Sequence, residues 1–180
     1  MIFTRFLFFF IITQFTFAQE AEKPWRVNEK LAWSDFTGKP NANHPFSATT
    51  ATGLSYGFSA DIVGDKVMVN YSIKSYFLPH DSWVKKDSTN DDTLLAHEQL
   101  HFDITELYVR KFRKKLSVFQ FTKNVQEEIE ALYAPIAKNR VAAQQLYDAE
   151  TEHSKNKVKQ QEWENKIAVA LKMLKQFASE

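Results

Sequence analysis

The chain has 180 residues, and its 23 Lys and Arg residues nearly balance its 22 Asp and Glu residues, which gives a formal net charge of +1. Nucleic-acid-binding proteins normally carry a strong basic excess on one face, so this balance argues against that class. The 44% hydrophobic content argues against a disordered chain. The absence of cysteine excludes disulfides, thiolate zinc sites and cysteine nucleophiles. Any metal must therefore be bound by His, Asp or Glu.

The first eighteen residues are typical of a secretory signal peptide. Arg5 supplies a positive charge, an apolar run follows from Phe6 to Ile12, and the segment ends in the small residues Thr16 and Ala18. The run is too short to cross a bilayer, which needs about 20 residues. We expect cleavage after Ala18, export to the periplasm or the medium, no membrane anchor in the mature chain, and one domain over residues 19–180.

The first half of the mature chain predicts β-structure. Residues 47–63 and 66–77 alternate apolar and polar side chains on either side of Gly64-Asp65. Two such runs around a turn predict a β-hairpin. The segment from Leu31 to Phe36 predicts a short strand or turn before a loop.

The second half contains no glycine and is rich in helix-forming residues. Its patterns predict helices over about 93–116, 123–147 and 155–177, with a kink or break in the second at Pro135. Residues 88–91 offer N-cap candidates for the first helix. Strands followed by helices in a chain this short predict one α+β domain, with an antiparallel hairpin or small sheet before a helical half.

A His-Glu-x-x-His motif lies in the first predicted helix. His97 and His101 are four residues apart, so their side chains lie about 40° apart on one helix face and can bind one zinc ion together. Apolar residues share this face, which predicts that it points into the protein: Leu94, Ile104, Tyr108 and Phe112. Glu98 lies at the border of the face. In this motif the glutamate takes a proton from a zinc-bound water and passes it to the leaving group.

The opposite side of this helix carries polar residues, and the pattern predicts that they face solvent: Gln99, Asp103, Glu106 and Arg110. Asp103 and Glu106 are thus excluded as ligands of the same ion, because they could not reach it without breaking the helix.

A catalytic zinc site needs a third protein ligand and one open position. The polar segment from Tyr147 to Ser154 separates the second and third predicted helices and can return to the first. Three residues in it compete for the third position: His153, which ranks first, then Glu150 and Asp148.

Four strings carry a family resemblance: Trp33-Ser34-Asp35-Phe36 with Gly38-Lys39-Pro40, Ser82-Trp83-Val84, Leu95 to Ile104, and Tyr147-Asp148-x-x-Thr151-x-His153. Together they resemble a bacterial family of unknown function described as predicted secreted zinc-dependent proteases. The resemblance implies a zincin-like metallopeptidase fold and supports His153 as the third ligand. Where we expect glycine after that histidine, this chain has Ser154; glycine there would suit a left-handed turn.

The resulting hypothesis is a secreted zinc-dependent peptidase acting on peptides or proteins. Glu98 is its general base, and Tyr147 is a further candidate that would donate a hydrogen bond to the tetrahedral oxyanion. The substrate would lie extended along an edge strand of the β half. The alternative is a non-catalytic binding module of the envelope with a structural metal. A third possibility is a helical interaction protein in which the motif is fortuitous.

Overall fold

The computed structural model describes residues 22–178. The predicted signal peptide lies outside the described residues. The strands are β1 (Lys23–Pro24), β2 (Ala48–Thr49), β3 (Thr52–Val63), β4 (Lys66–Phe77) and β5 (Trp83–Val84), and the helices are α1 (Asp92–Ser117), α2 (Val125–Thr151) and α3 (Lys157–Met173). Short 3-10 turns lie at Trp33–Asp35, Pro79–Asp81, Lys86–Ser88 and Lys175–Phe177. Small antiparallel sheets followed by three helices confirm the predicted α+β class.

The predicted hairpin is the main sheet of the protein. Strands β3 and β4 pair antiparallel along their whole length, from Thr52 opposite Phe77 to Val63 opposite Lys66. Gly64 turns the chain with a φ of 61°, a left-handed conformation that glycine adopts without steric cost. Strand β1 pairs with the other edge of β4. Strands β2 and β5 form a separate two-stranded sheet, so β2 has one strand neighbour within residues 22–178.

The helices follow the predicted pattern with two local differences. The carboxylate of Asp91 caps α1 by accepting a hydrogen bond from the backbone N–H of Leu94 at 3.0 Å. Helix α2 continues through Pro135 as one helix and ends one turn later than predicted, at Thr151. Pro135 is exposed, so water can hydrogen-bond the carbonyl group that the missing N–H leaves without a partner.

Helix α1 is buried on nearly all sides, because the hairpin packs on one side and α2 and α3 pack on others. The prediction that its polar residues face solvent is wrong: Gln99, Asp103, Glu106 and Arg110 are at most 8% exposed. Their hydrogen bonds are made inside the protein. Asp103 accepts from Nε1 of Trp25 at 2.7 Å, and Glu106 accepts from the Ser75 hydroxyl at 2.6 Å. Both carboxylates therefore have partners remote from the His pair.

No helix within residues 22–178 combines the length and the apolar composition needed to cross a membrane.

Candidate metal centre

The His pair meets a carboxylate from α2. The Nε2 atoms of His97 and His101 lie 3.2 Å apart. The Oδ1 atom of Asp148 lies 3.2 Å from the first and 3.1 Å from the second. Two imidazole nitrogens and one carboxylate oxygen are a donor set that zinc accepts. The structure thus forms a three-donor cluster from two helices.

The inward orientation predicted for the His pair is what the structure shows. His97 is 2% exposed, and its ring stacks on the ring of Tyr147 with centroids 4.5 Å apart. Tyr147 is fully buried one residue before Asp148. The packing of Tyr147 against His97 therefore fixes the last turns of α2 on α1, and this brings the Asp148 carboxylate to the pair.

Hydrogen bonds to two glutamines orient both imidazole rings. Nδ1 of His97 lies 3.1 Å from Oε1 of Gln160, and Nδ1 of His101 is hydrogen-bonded to Oε1 of Gln144. The amide nitrogen of Gln144 donates to the backbone carbonyl of His101 at 2.8 Å, and that of Gln160 donates to Glu164 at 2.9 Å. Since both glutamine oxygens can only accept, each Nδ1 carries the proton.

This tautomer leaves the Nε2 lone pairs of His97 and His101 directed at each other and at Asp148. Three electron-rich atoms at this separation repel one another unless a cation lies among them, so the cluster requires either a metal ion or a proton. The geometry and the donor chemistry fit a metal.

Without a metal, the cluster binds a proton more strongly than a free histidine does. Burial alone would lower the pKa of His101, but the hydrogen bond to Asp148 and the negative charges of Glu98 and Asp148 outweigh it and raise that pKa above its ordinary value. Burial alone would raise the pKa of Asp148, but the two imidazoles hold it well below its usual range. The metal-free centre therefore favours an imidazolium next to the carboxylate more than a free histidine would.

Glu98 is buried beside the cluster, with 4% of its surface exposed. Its Oε2 atom has no hydrogen-bond partner among residues 22–178. Leaving a buried carboxylate oxygen without a partner costs several times more than a typical hydrogen bond contributes. Glu98 also lines the cleft that opens at the His pair. Its oxygen is thus positioned for a partner that the protein itself does not provide.

The cleft has a volume of about 800 Å³. One wall is the segment from His44 to Thr52, which includes β2, and the opposite wall is formed by α1 and α2. The hydroxyl oxygen of Thr50 is buried in this wall without a hydrogen-bond partner among the described residues. A cleft of this size with a few polar groups along it is typical of a binding site.

His153 reaches the site through Asp148. Its Nδ1 atom lies 3.5 Å from the Asp148 Oδ1 atom, and its side chain is 42% exposed. It does not belong to the cluster whose donor atoms all lie within 4.8 Å of one another. The third position, for which we ranked His153 first, is instead taken by the alternative Asp148 in this arrangement, and direct ligation by His153 stays a prediction. Glu150 points elsewhere, since it accepts from Nε1 of Trp163 at 2.7 Å.

The turn that carries His153 has an unusual backbone. Glu152, His153 and Ser154 have φ values of 51°, 52° and 74°. Three consecutive non-glycine residues in the left-handed region are strained. The position where the family resemblance led us to expect glycine, Ser154, is indeed left-handed. This turn places the His153 ring against Phe46 across the cleft, with centroids 4.1 Å apart.

Tyr147 packs beneath the metal centre. Its hydroxyl donates to Oε1 of Gln160 at 2.7 Å, and the residue is fully buried beneath the His97 ring. Burial raises the pKa of the Tyr147 phenol above its ordinary value. In this geometry Tyr147 positions His97, and the predicted hydrogen bond to a reacting oxyanion stays a prediction.

The sequence did not lead us to the two glutamines that orient the imidazole rings. Only one of them, Gln144, has a spacing that could have indicated its place near the site. Gln144 lies four residues before Asp148, the same spacing as the His pair, and this spacing predicts a shared helix face. Gln160 lies on α3, where nothing in the sequence distinguishes it from the exposed Gln161.

Fold and site together define an α+β protein with a candidate metal centre built on a His-Glu-x-x-His helix. The chain belongs to the family described as bacterial protein of unknown function (DUF922), whose model matches residues 31–154. The matched region includes the His pair, Glu98, Asp148 and His153. No curated protein and no solved structure matches the chain. The function must therefore be argued from the site.

Proposed function

We propose that this protein is a zinc-dependent peptidase. His97, His101 and Asp148 would hold the ion, and the cleft in front of them leaves an open position. Zinc bound there would supply a Lewis acid that activates a water molecule and polarises the scissile carbonyl. Gln144 and Gln160 hold the two rings in the tautomer that ligation requires.

The observation that carries this proposal is the buried Oε2 atom of Glu98 without a partner. A carboxylate in this position accepts a proton from the attacking water and returns it to the leaving amine, as a general acid–base catalyst does. A structural metal site would have no use for such a group. The buried, unpaired oxygen therefore favours catalysis over the alternative of a binding module with a structural metal.

The cleft wall supports an extended peptide as the substrate. Strand β2 pairs with β5 on one side and has no second strand neighbour within the described residues. An extended peptide can add to such an edge by backbone hydrogen bonds. Thr50 follows β2 directly, and its hydroxyl, which has no partner among the described residues, is a further hydrogen-bonding group for that peptide.

Glu98→Gln tests the proposal, because it removes the base and keeps the shape. We expect the variant to retain one zinc per chain by mass spectrometry, while hydrolysis of unfolded protein substrates falls by about 10²- to 10⁴-fold. The exposed Glu127→Gln on α2 is the control and should match the wild type. Unchanged turnover in Glu98→Gln, or no hydrolysis by the zinc-loaded wild type, would contradict the proposal.

A further inference from the structure

Two positively charged residues in the cleft, Arg140 and the exposed Lys155, have no role in the metal centre. Arg140 lies on α2 and lines the cleft. It is half-buried. No hydrogen bond, ion pair or ring contact joins it to any residue in the described range 22–178. Other arginines around α1 are paired: Arg110, for example, donates to Glu106 at 2.8 Å. A half-buried guanidinium without a partner is poised to bind an anion.

The position of Arg140 relative to the metal ligands follows from helix geometry. Arg140, Gln144 and Asp148 succeed one another at intervals of four residues, so they form one stripe along α2 that faces the cleft. Eight residues of helix separate Arg140 from Asp148 by about 12 Å along the axis. An extended peptide advances about 3.4 Å per residue. A substrate bound along this stripe thus reaches Arg140 about three to four residues from the metal centre.

Arg140 lines the part of the cleft about two turns of α2 before Asp148. Near it, Gln144 donates to the Thr105 hydroxyl at 3.2 Å, and Thr105 is hydrogen-bonded to Thr52 at 2.8 Å. Beyond Asp148, α2 leads to the turn with His153, whose Nδ1 atom lies 3.5 Å from the Asp148 Oδ1 atom. The metal cluster therefore lies close to this turn, and Arg140 lies about two turns of α2 away from it.

The charges that line the cleft indicate which chemical group of a substrate Arg140 binds. Glu98 and Asp148 both line it, and their carboxylates repel an anionic substrate group unless a cation compensates. Arg140, which is more buried than the exposed Lys155, supplies such a cation at a distance from the metal centre. Its planar guanidinium matches a carboxylate with two parallel hydrogen bonds.

We infer that Arg140 binds a carboxylate of the substrate, so that the enzyme prefers peptides with a carboxylate about three to four residues from the scissile bond. This inference rests on the proposed peptidase function. The carboxylate has two sources with the same chemistry: the free C-terminus of a short peptide, and an Asp or Glu side chain within a longer one.

Four pools of randomised hexapeptides distinguish these sources. The first two pools contain no acidic residue, and one ends in a free carboxylate while the other ends in an amide. The second two pools both end in an amide, and one contains Glu at internal positions while the other contains Gln there. Cleavage by the zinc-loaded wild type is followed by mass spectrometry, and binding is measured on zinc-loaded Glu98→Gln. We expect at least one carboxylate pool to be bound and cleaved about 10- to 100-fold better than its neutral match, as expected for a charged hydrogen-bonded pair.

Arg140→Gln should abolish this preference in both measurements and leave zinc content unchanged. Lys138→Gln, which removes an exposed charge of the same helix, is the matched control and should keep the preference. A preference that survives Arg140→Gln, or equal binding of all four pools, would overturn the inference. Binding with the expected preference but no cleavage would overturn the peptidase proposal alone, so the two failures are distinguishable.

Discussion

The Nδ1 atom of His97 lies 3.1 Å from the Oε1 atom of Gln160, and this contact fixes which imidazole nitrogen is available to a metal. Because Gln160 also accepts from Tyr147 and donates to Glu164, its oxygen cannot rotate away from the ring without breaking the other two bonds. Helix α3 thereby controls the chemistry of a residue on α1.

Gln160→Leu should weaken zinc binding. The variant keeps the size of the side chain but removes the acceptor, so His97 loses its preference for the metal-binding tautomer. We expect the zinc affinity, measured by competition with a chromogenic chelator, to fall by about 10- to 100-fold. Gln161→Leu, on the exposed face of α3, is the control. Equal affinities for the two variants would contradict this role.

The ligand set can be tested by substitution in α2 and in the turn that follows it. Asp148→Ala should lose most bound zinc, because two imidazoles alone do not complete a zinc site. His153→Ala should lose less, since His153 contacts the cluster through Asp148. Metal content per chain after gel filtration measures both. A greater loss in His153→Ala would restore His153 as the third ligand.

Stability should depend on pH in opposite ways with and without zinc. In the metal-free protein the raised pKa of His101 contributes stability that is fully present below its ordinary pKa of 6.5 and is lost as pH rises through the raised value. The lowered pKa of Asp148 contributes stability that is present above 3.8 and is lost as pH falls through the lowered value. Zinc needs deprotonated imidazoles, so its stabilising effect grows as pH rises.

Thermal unfolding with EDTA and with zinc, between about pH 6 and pH 9, tests this expectation. The melting temperature with EDTA should fall as pH rises over this range, because the interaction of protonated His101 with Asp148 is lost. The increase in melting temperature that zinc produces should grow over the same range. Asp148→Asn removes the carboxylate that raises the pKa of His101, so its melting temperature with EDTA should depend less on pH. An increment that is constant with pH would show that zinc and protons do not compete.

Ser154→Gly should stabilise the protein. Ser154 has a φ of 74°, which glycine adopts without the steric cost that a Cβ atom imposes. We expect a gain of about 1 kcal/mol in the free energy of unfolding by urea titration, reduced in part by the greater freedom of glycine in the unfolded chain. Lys155→Gly, at the next residue with a negative φ, should not stabilise. A loss of stability in Ser154→Gly would mean that the serine side chain has a role the structure does not reveal.

Local patterns predicted the elements of this fold but not what covers them. Alternation and helix-forming composition are properties of neighbouring residues, and they gave the hairpin and three helices. The burial of Asp103 and Glu106 depends instead on Trp25 and Ser75, which reach α1 from distant parts of the chain. A helical wheel shows which residues share a face, but not whether a second layer covers the other face.

The place of Asp148 next to the His pair was not foreseen for a related reason. The sequence predicted that α2 ends near Tyr147, which left Asp148 and His153 in one loop. In the structure α2 continues to Thr151, so Asp148 stays on the face that carries Gln144. The predicted export and the cleavage after Ala18 concern residues outside the described range and stay predictions. Mass spectrometry of the exported protein would test them.

The most direct test of the proposed metal centre is anomalous diffraction at the zinc edge from crystals grown with equimolar zinc. We predict one peak at about 2.0–2.2 Å from Nε2 of His97, Nε2 of His101 and a carboxylate oxygen of Asp148, with a water molecule between the peak and Oε2 of Glu98. A peak bound elsewhere, or crystals with equimolar zinc in which these three side chains hold no metal, would contradict the account.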